Sequence, residues 1–334
     1  MSGKLVLVTG VTGFVAGHLV EQLLQLGFRV RGTARAQKIA ALKKISHPSL
    51  EFVEVNDLAK DDLTRALHGV DIVIHVAAPL PGKASIEETI NTAVEGTLNV
   101  VRQVEKAGIT KIVVTGTYGS TLDPSMGPAF NGITIGDFDW GKTSKEEIYA
   151  KNDPFYTYFA AKLLAEKALW EFVKSKPHLD VTSILPGFVF GPWAKLSPLP
   201  ASEKDLGTNS FPYMLLAGVY PPVSPPWVVD IRDVAKAHVL ALDLPHMEVG
   251  TKRFLVNAGN FTWEEAAEHL RKSHPGLLKH SLEGAKDLPG PASYLDTSRA
   301  KEVLGIKEFI DPKKMIDDVV DDLIELQKRW ASAA

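Results

Sequence analysis

Short apolar runs alternate with helical segments along the first half of the chain, and no other feature narrows the fold so far. LVLVTG (5–10), FRVRGT (28–33), EFVEV (51–55), DIVIHV (71–76), KIVVTG (111–116) and VTSILP (181–186) have strand length and β-branched content. After the first, Val15, Leu19, Leu23 and Leu26 fall at helical spacing, with Gly27 as a stop. Residues 86–107 read as a long helix ended by Gly108. Asp153 reads as an N-cap with Pro154 at the first helical position, opening a helix to about residue 175. Buried strands separated by helices require right-handed crossovers and a parallel sheet covered on both faces. The expected fold class is α/β with a doubly wound parallel sheet.

After Pro186 the texture changes. Residues 187–227 are rich in Pro, Gly and aromatics, and PPVSPPW (221–227) is too Pro-rich for a central strand. A helix near 233–243 and a strand near 253–256 read as a return to the sheet, and helices near 263–273 and 312–330 close the chain. At ~150 residues per domain, 334 residues suggest two domains. The expected division is a nucleotide-binding domain of 1–190 with 228–258, and a smaller, mostly C-terminal substrate-binding domain of 191–227 with 259–334.

Composition excludes several classes. The net charge of −3 gives no global footprint for a polyanion, so no nucleic-acid partner is expected. With no cysteine there is no disulfide, thiol nucleophile or Cys-ligated zinc, which suits a reducing compartment. No HExxH is present, so no metal is expected, and no GxSxG, which argues against an α/β-hydrolase. No apolar stretch reaches the ~18 residues that span a bilayer, and the start shows no secretory pattern. The sequon at Asn260 is incidental on that reading. A cytoplasmic protein off the membrane is expected, as a monomer or homodimer.

Thr9-Gly10-Val11-Thr12-Gly13-Phe14-Val15-Ala16-Gly17 joins the first strand to the first helix. A phosphate there needs free backbone N–H groups and close approach. Gly10 allows the tight turn, Gly13 leaves room for a pyrophosphate, and Ala16 lets the helix sit close to the sheet. The spacing GxxGxxA, in strand–turn–helix context, marks a dinucleotide site formed by Gly10, Thr12, Gly13, Phe14 and Val15. An NAD site places a carboxylate at the end of the second strand, whereas an NADP site replaces it with cations. Between Phe28 and Leu50 there is no Asp or Glu, but there are Arg29, Arg31, Arg35, Lys38, Lys43 and Lys44. Arg35 is assigned to the 2′-phosphate with Lys38 second, while Lys43 and Lys44 read as a solvated face. Asp57 and Leu58 follow the third strand and could flank the adenine, although Asp57 could equally cap a helix. The expected cofactor is NADP(H).

Of seven tyrosines only Tyr158 has a lysine four residues on, Lys162, which stacks both on one helix face. A carbonyl accepting hydride becomes an alkoxide and needs a proton. A phenol can give it, and a nearby ammonium brings its pKa of about 10 toward working pH. A second hydroxyl would polarise the carbonyl; Thr117, just beyond strand 111–116, is best placed, with Ser120 in reserve.

TGVTGFVAGH, DL (57–58), VAAP (76–79), YFAAK (158–162), LPGFVFGP (185–192) and VVDIRDVAKAH (228–238) resemble the extended short-chain dehydrogenase/reductase family over nearly the whole chain. VRGTAR (30–35) most resembles its dihydroflavonol-reductase-like branch, and the chain looks most like the fungal NADPH-dependent carbonyl reductases. The resemblance implies a Rossmann-type fold, Tyr158 as proton donor and Lys162 as its ribose-binding partner. It puts Pro186, Gly187, Phe188 and Val189 along the nicotinamide, and Val76, Ala77 and Ala78 beside the cofactor ribose, with Thr115 also in the cofactor site. Two departures stand out: Gly116-Thr117 replaces the usual Ser-Ser, and Ala93 replaces an asparagine, which removes a side-chain relay there. Tyr118, Phe130, Trp193, Phe211, Tyr213, Met214 and Trp227 could wall an apolar substrate pocket or pack a second core. The expected activity is reduction of a ketone or aldehyde. The rivals are a nucleotide-sugar epimerase or dehydratase on the same scaffold and a non-catalytic NADP(H) sensor.

Overall fold

The computed structural model describes residues 3–42, 45–79, 81–82, 84–279 and 281–333; Lys43 and Lys44 lie outside them. Seven strands form one sheet: β1 (Leu5–Thr9), β2 (Arg29–Ala34), β3 (Leu50–Glu54), β4 (Ile72–His75), β5 (Lys111–Thr115), β6 (Asp180–Pro186) and β7 (Arg253–Val256). Their order is β3-β2-β1-β4-β5-β6-β7, and every neighbouring pair is parallel. The order reverses between β1 and β4, so a crevice opens outside the carboxyl ends of these strands. The six longer helices are α1 (Phe14–Gln25), α2 (Ile86–Lys106), α3 (Pro154–Lys174), α4 (Ile231–Leu240), α5 (Trp263–Ser273) and α6 (Pro312–Ala333).

Local chemistry sets the helix starts. The Ser85 hydroxyl accepts from Glu88 N at 3.2 Å to cap α2, whose first turn carries Glu87 and Glu88 at its positive end. The Asp153 carboxylate accepts from Tyr156 N at 2.7 Å, and Pro154 takes the first position of α3, where no N–H is missed. β1 is buried throughout, as its unbroken apolar run requires. Val6 and Val8 join the core under α1 and α4, whereas Leu5 and Leu7 join the one under α2 and α3.

A further core gathers Phe190, Leu215, Val228, Phe261, Leu270, Val319 and Leu323 beneath α5 and α6. It meets the main sheet at a three-stranded ribbon in which Trp227–Asp230 lies between Phe188–Phe190 and Gly259–Asn260. Val228 faces this core, while Val229 faces α1 and α4. The Asp230 carboxylate caps α4 by accepting from Arg232 N at 2.8 Å, and the Arg232 guanidinium reaches Asp318 of α6 at 2.7 Å.

Trp227 corrects an expectation. It is not an open pocket wall: it is 0 % exposed, its ring packs against Tyr118, and its Nε1 donates to Ser293 O at 2.8 Å. Pairing with two distant segments drew it into a strand, although the prolines before it read as loop. Among the described residues no helix is long and apolar enough to cross a membrane. Trp227→Ala should lower stability by about 3–5 kcal/mol, measured by urea unfolding, because a large fully enclosed side chain leaves a cavity.

Candidate active site and cofactor cleft

Gly10 has φ +66°, and a Cβ there would come within 2.9 Å of the Ala77 Cβ, so this turn needs glycine for conformation and for space. Exposed Gly13 is the N-cap of α1 and supplies no side-chain acceptor, which leaves the first-turn N–H groups of Phe14 and Val15 open to a ligand. Thr12 and Val15 are half-buried beside them, and Ala16 is fully buried against the sheet. The Thr9 hydroxyl accepts from Val76 N at 3.1 Å and Ala77 N at 3.2 Å and lies 2.8 Å from His75 Nδ1. It thereby ties Val76, Ala77 and the more exposed Ala78 to the glycine loop.

The basic residues at β2 separate cleanly. Arg31 is held by Glu51 at 2.7 Å and by the carbonyls of Ala66 and His68 at 2.8 and 2.7 Å. Arg35 and Lys38 lie past the strand end, exposed, and neither charged end takes part in an ion pair among the described residues. The Asp57 carboxylate caps its own turn, accepting from Ala59 N at 2.9 Å, with Lys60 at 3.4 Å. The carboxylate thereby holds the turn that follows β3 while remaining half-exposed. Half-buried Leu58 gives its carbonyl to Asn99 at 2.9 Å.

Tyr158, Lys162 and Glu166 succeed one another along one face of α3. Lys162 Nζ donates to the Thr115 carbonyl at 2.8 Å, and burial pushes its pKa down to about 8, against an opposing pull from Glu166. Burial pushes Tyr158 up to about 12. That direction is opposite to the lowering expected from a nearby ammonium, because removal from water disfavours the phenolate. Thr117 Oγ1 accepts from Gly119 N at 3.1 Å, so the hydroxyl hydrogen is left to donate. Ser120 is not available as the reserve: fully buried, it donates to Glu166 Oε2.

Glu166 is a residue that sequence reasoning passed over, and its only signal was its spacing from Lys162. It accepts from Arg253 Nε at 2.9 Å and Trp170 Nε1 at 3.2 Å. Burial raises its pKa, but Arg253 and the hydroxyls around it hold it below the usual carboxylate range. The Arg253 guanidinium sits 3.6 Å over the Trp140 ring and donates to Asp139 O at 3.1 Å. His238 was also missed. Its Nε2 lies 2.7 Å from Thr115 Oγ1, so α4 holds the Thr115 side chain.

Of the pocket candidates, Tyr118 is core: it is 2 % exposed among Phe159, Phe188 and Trp227. Its hydroxyl has no hydrogen-bond partner among the described residues, and burial together with the nearby Tyr158 raises its pKa far above the usual value. Phe130, Trp193, Phe211 and Met214 are half-buried. Trp193 packs on Phe14 at 5.4 Å between ring centroids, and Phe211 lies 6.0 Å from Phe188. Tyr213 instead packs on Trp330 at 6.3 Å. Pro186 and Gly187 are buried and Phe188 and Val189 half-buried at the end of β6. Ala93 is enclosed with Ile90, Ala160 and Ala161 between α2 and α3.

The sheet order and the cleft at its switch point describe the extended short-chain dehydrogenase/reductase architecture. The chain belongs to the NAD dependent epimerase/dehydratase family, whose model matches residues 6–206. An uncharacterised oxidoreductase of Schizosaccharomyces pombe is 34% identical over 95% of this chain and 96% of its own. Aldehyde reductase 2 of Sporidiobolus salmonicolor is 31% identical over 96% of this chain and 95% of its own. The crystal structure of Gre2 from Candida albicans in complex with NADPH superposes with a TM-score of 0.82 at 27% identity, covering 96% of this chain and 99% of that one.

Two buried imidazoles make the fold acid-sensitive. Burial pushes His75 down to about 3 and His238 down to about 4, from 6.5 in the unfolded chain. The unfolded chain therefore binds more protons as pH falls below 6.5, and stability fully present above that value is lost toward pH 4 and 3. Urea midpoints should fall steadily from neutral pH to about pH 4.

Proposed function

We propose that the protein is an NADPH-dependent carbonyl reductase acting on a small ketone or aldehyde. The observation that carries this reading is the Tyr158–Lys162 helix face, with Lys162 Nζ bonded at 2.8 Å to the end of β5, next to the Thr117 turn. Its relatives support it: aldehyde reductase 2 and an NADPH-dependent methylglyoxal reductase of Saccharomyces cerevisiae align over nearly their whole lengths.

The residues at the switch point fit the cofactor. The uncapped first turn of α1 suits a pyrophosphate, and exposed Arg35 and Lys38 past β2 suit a 2′-phosphate. Val76, Ala77 and Ala78 would border it on one side, and Pro186, Gly187, Phe188 and Val189 on the other. When bound, NADPH supplies a hydride for the carbonyl carbon.

The chain's own groups then manage charge and protons. As negative charge gathers on the substrate oxygen, Thr117 Oγ1 donates a hydrogen bond to it. Tyr158 Oη gives it a proton. A phenol pushed up to about 12 stays protonated at neutral pH, the form that a donor needs. Lys162 lies one helical turn on from the phenolate left behind, and with a pKa of about 8 that amine is mainly charged at neutral pH. Phe130, Trp193, Phe211 and Met214 would form the apolar side of the substrate pocket. The separate core under α5 and α6 supports a division into 1–190 with 228–258 for NADP and 191–227 with 259–334 for substrate, with Phe190 and Val228 shared by that core and Ala300, Leu304 and Ile306 packed instead in the core under α1 and α4. The cytoplasm is the compartment proposed for this cysteine-free chain.

Tyr158→Phe should retain NADPH binding by fluorescence titration yet lower kcat for an aryl ketone by about 10²–10⁴-fold. Full activity in that variant ends the proposed mechanism. Arg35→Ser should raise the KM for NADPH about 10- to 100-fold and leave that for NADH nearly unchanged, measured by initial rates.

A further inference from the structure

Tyr118 follows Thr117 directly and opens the turn after β5. Its ring is enclosed by Phe159 of α3 and by Phe188 and Trp227 of the ribbon, at 5.6, 5.7 and 5.1 Å between centroids. Tyr158 packs against the same cluster, its ring edge-on to Phe159 at 5.3 Å. Trp227 Nε1 is satisfied there by Ser293 O, whereas the Tyr118 hydroxyl, out of reach of water, has no partner among the described residues. Leaving a buried hydroxyl unbonded is destabilising, and phenylalanine would fill the same space without it. The packing of this cluster therefore needs the ring and not its oxygen.

The neighbouring phenol gives that oxygen a use. When Tyr158 releases its proton, a phenolate is left where burial already pushes the pKa up to about 12. Charge on Tyr158 in turn opposes ionisation of Tyr118, on top of burial, so Tyr118 keeps its hydrogen and remains a donor. The other ionisable groups about Tyr158 are Lys162 and Glu166 along α3 and His75 at the end of β4. Lys162 donates to the Thr115 carbonyl, Glu166 is matched by Arg253, and burial keeps His75 neutral. We propose that Tyr118 stabilises the Tyr158 phenolate: its uncommitted O–H donates a hydrogen bond to the phenolate oxygen once the proton has left for the substrate. The inference rests on the reading of Tyr158 given above. Tyr118 keeps its own O–H bond throughout, and the only proton that changes place is that of Tyr158, which passes to the substrate alkoxide. In the reverse direction the same hydrogen bond favours the phenolate that takes the proton from an alcohol.

The test compares wild type with Tyr118→Phe, Tyr158→Phe and the Tyr118→Phe/Tyr158→Phe double variant. Turnover is read in both directions, with NADPH and an aryl ketone and with NADP+ and the corresponding alcohol against pH. Tyr158 is read separately, by fluorine NMR of cofactor-free protein labelled with difluorotyrosine, whose fluorines bring phenol ionisation into a pH range that the fold tolerates. Its signal is the one absent from Tyr158→Phe. Tyr118→Phe should unfold at the wild-type temperature or above, since it removes an unbonded hydroxyl and keeps the ring. It should raise the half-ionisation pH of Tyr158 by about one unit and slow alcohol oxidation below that pH about tenfold. The double variant should be no slower than Tyr158→Phe alone, because Tyr118 acts through Tyr158.

An unchanged Tyr158 ionisation in folded Tyr118→Phe overturns the inference, and so do losses that multiply in the double variant. A Tyr118→Phe protein that does not fold also overturns it, because the hydroxyl would then be serving the fold. A wild-type protein that oxidises no NADPH with any ketone or aldehyde refutes the reductase reading instead, and the fluorine signal still decides whether Tyr118 stabilises the phenolate.

Discussion

Glu166 and Arg253 meet almost out of contact with water, at 5 % and 1 % exposure. Taking two charges out of water costs more than their attraction returns unless the remaining donors and lone pairs are satisfied. Here they are. Ser120 and Trp170 fill the carboxylate, while the carbonyls of Asp137 and Asp139 and the face of Trp140 fill the guanidinium. Four segments distant in sequence therefore share one buried charge pair: α3, the turn after β5, the loop around 137–140 and β7. None of them can move alone without leaving a charge unmatched. Lys162 lies one turn from this pair and Thr117 three residues from Ser120, so the polar side of the cleft inherits that rigidity.

The cofactor side is built on the opposite plan. The glycine loop offers backbone donors and no side-chain cap, and Arg35 and Lys38 stand in solvent without an ion-pair partner among the described residues. One half of the cleft is held by internal partners; the other leaves its groups for a ligand to satisfy. Arg31 shows how the sorting works, because Glu51 and two carbonyls hold its Nε and Nη1.

Much of this was readable from the residues. β1 and β5 are apolar runs buried on both faces, and such runs announce themselves by length and β-branched content. The Gly10–Gly13 turn and the Tyr158/Lys162 pair are local patterns, separated by three and four residues. What escaped is non-local. Glu166 and Arg253 are 87 residues apart, and a lone Glu or Arg in a sequence reads as solvated surface. His238 finds Thr115 across 123 residues, and nothing in the alternation of α4 foretells that bond. Trp227 looked like loop because of the prolines before it, yet its neighbours at 188–190 and 259–260 made it a strand. The tyrosine pKa was misjudged for a related reason: burial belongs to the assembled fold, and spacing along a helix does not encode it.

The ribbon at Trp227–Asp230 works as a dowel between two interiors. Val228 belongs to one and Val229 to the other, and Asp230 must then meet the start of α4. Sliding this ribbon by a single position would turn each valine toward the wrong interior and withdraw the aspartate from Arg232. One residue gained or lost within Trp227–Asp230 would therefore upset both interiors and the start of α4 together.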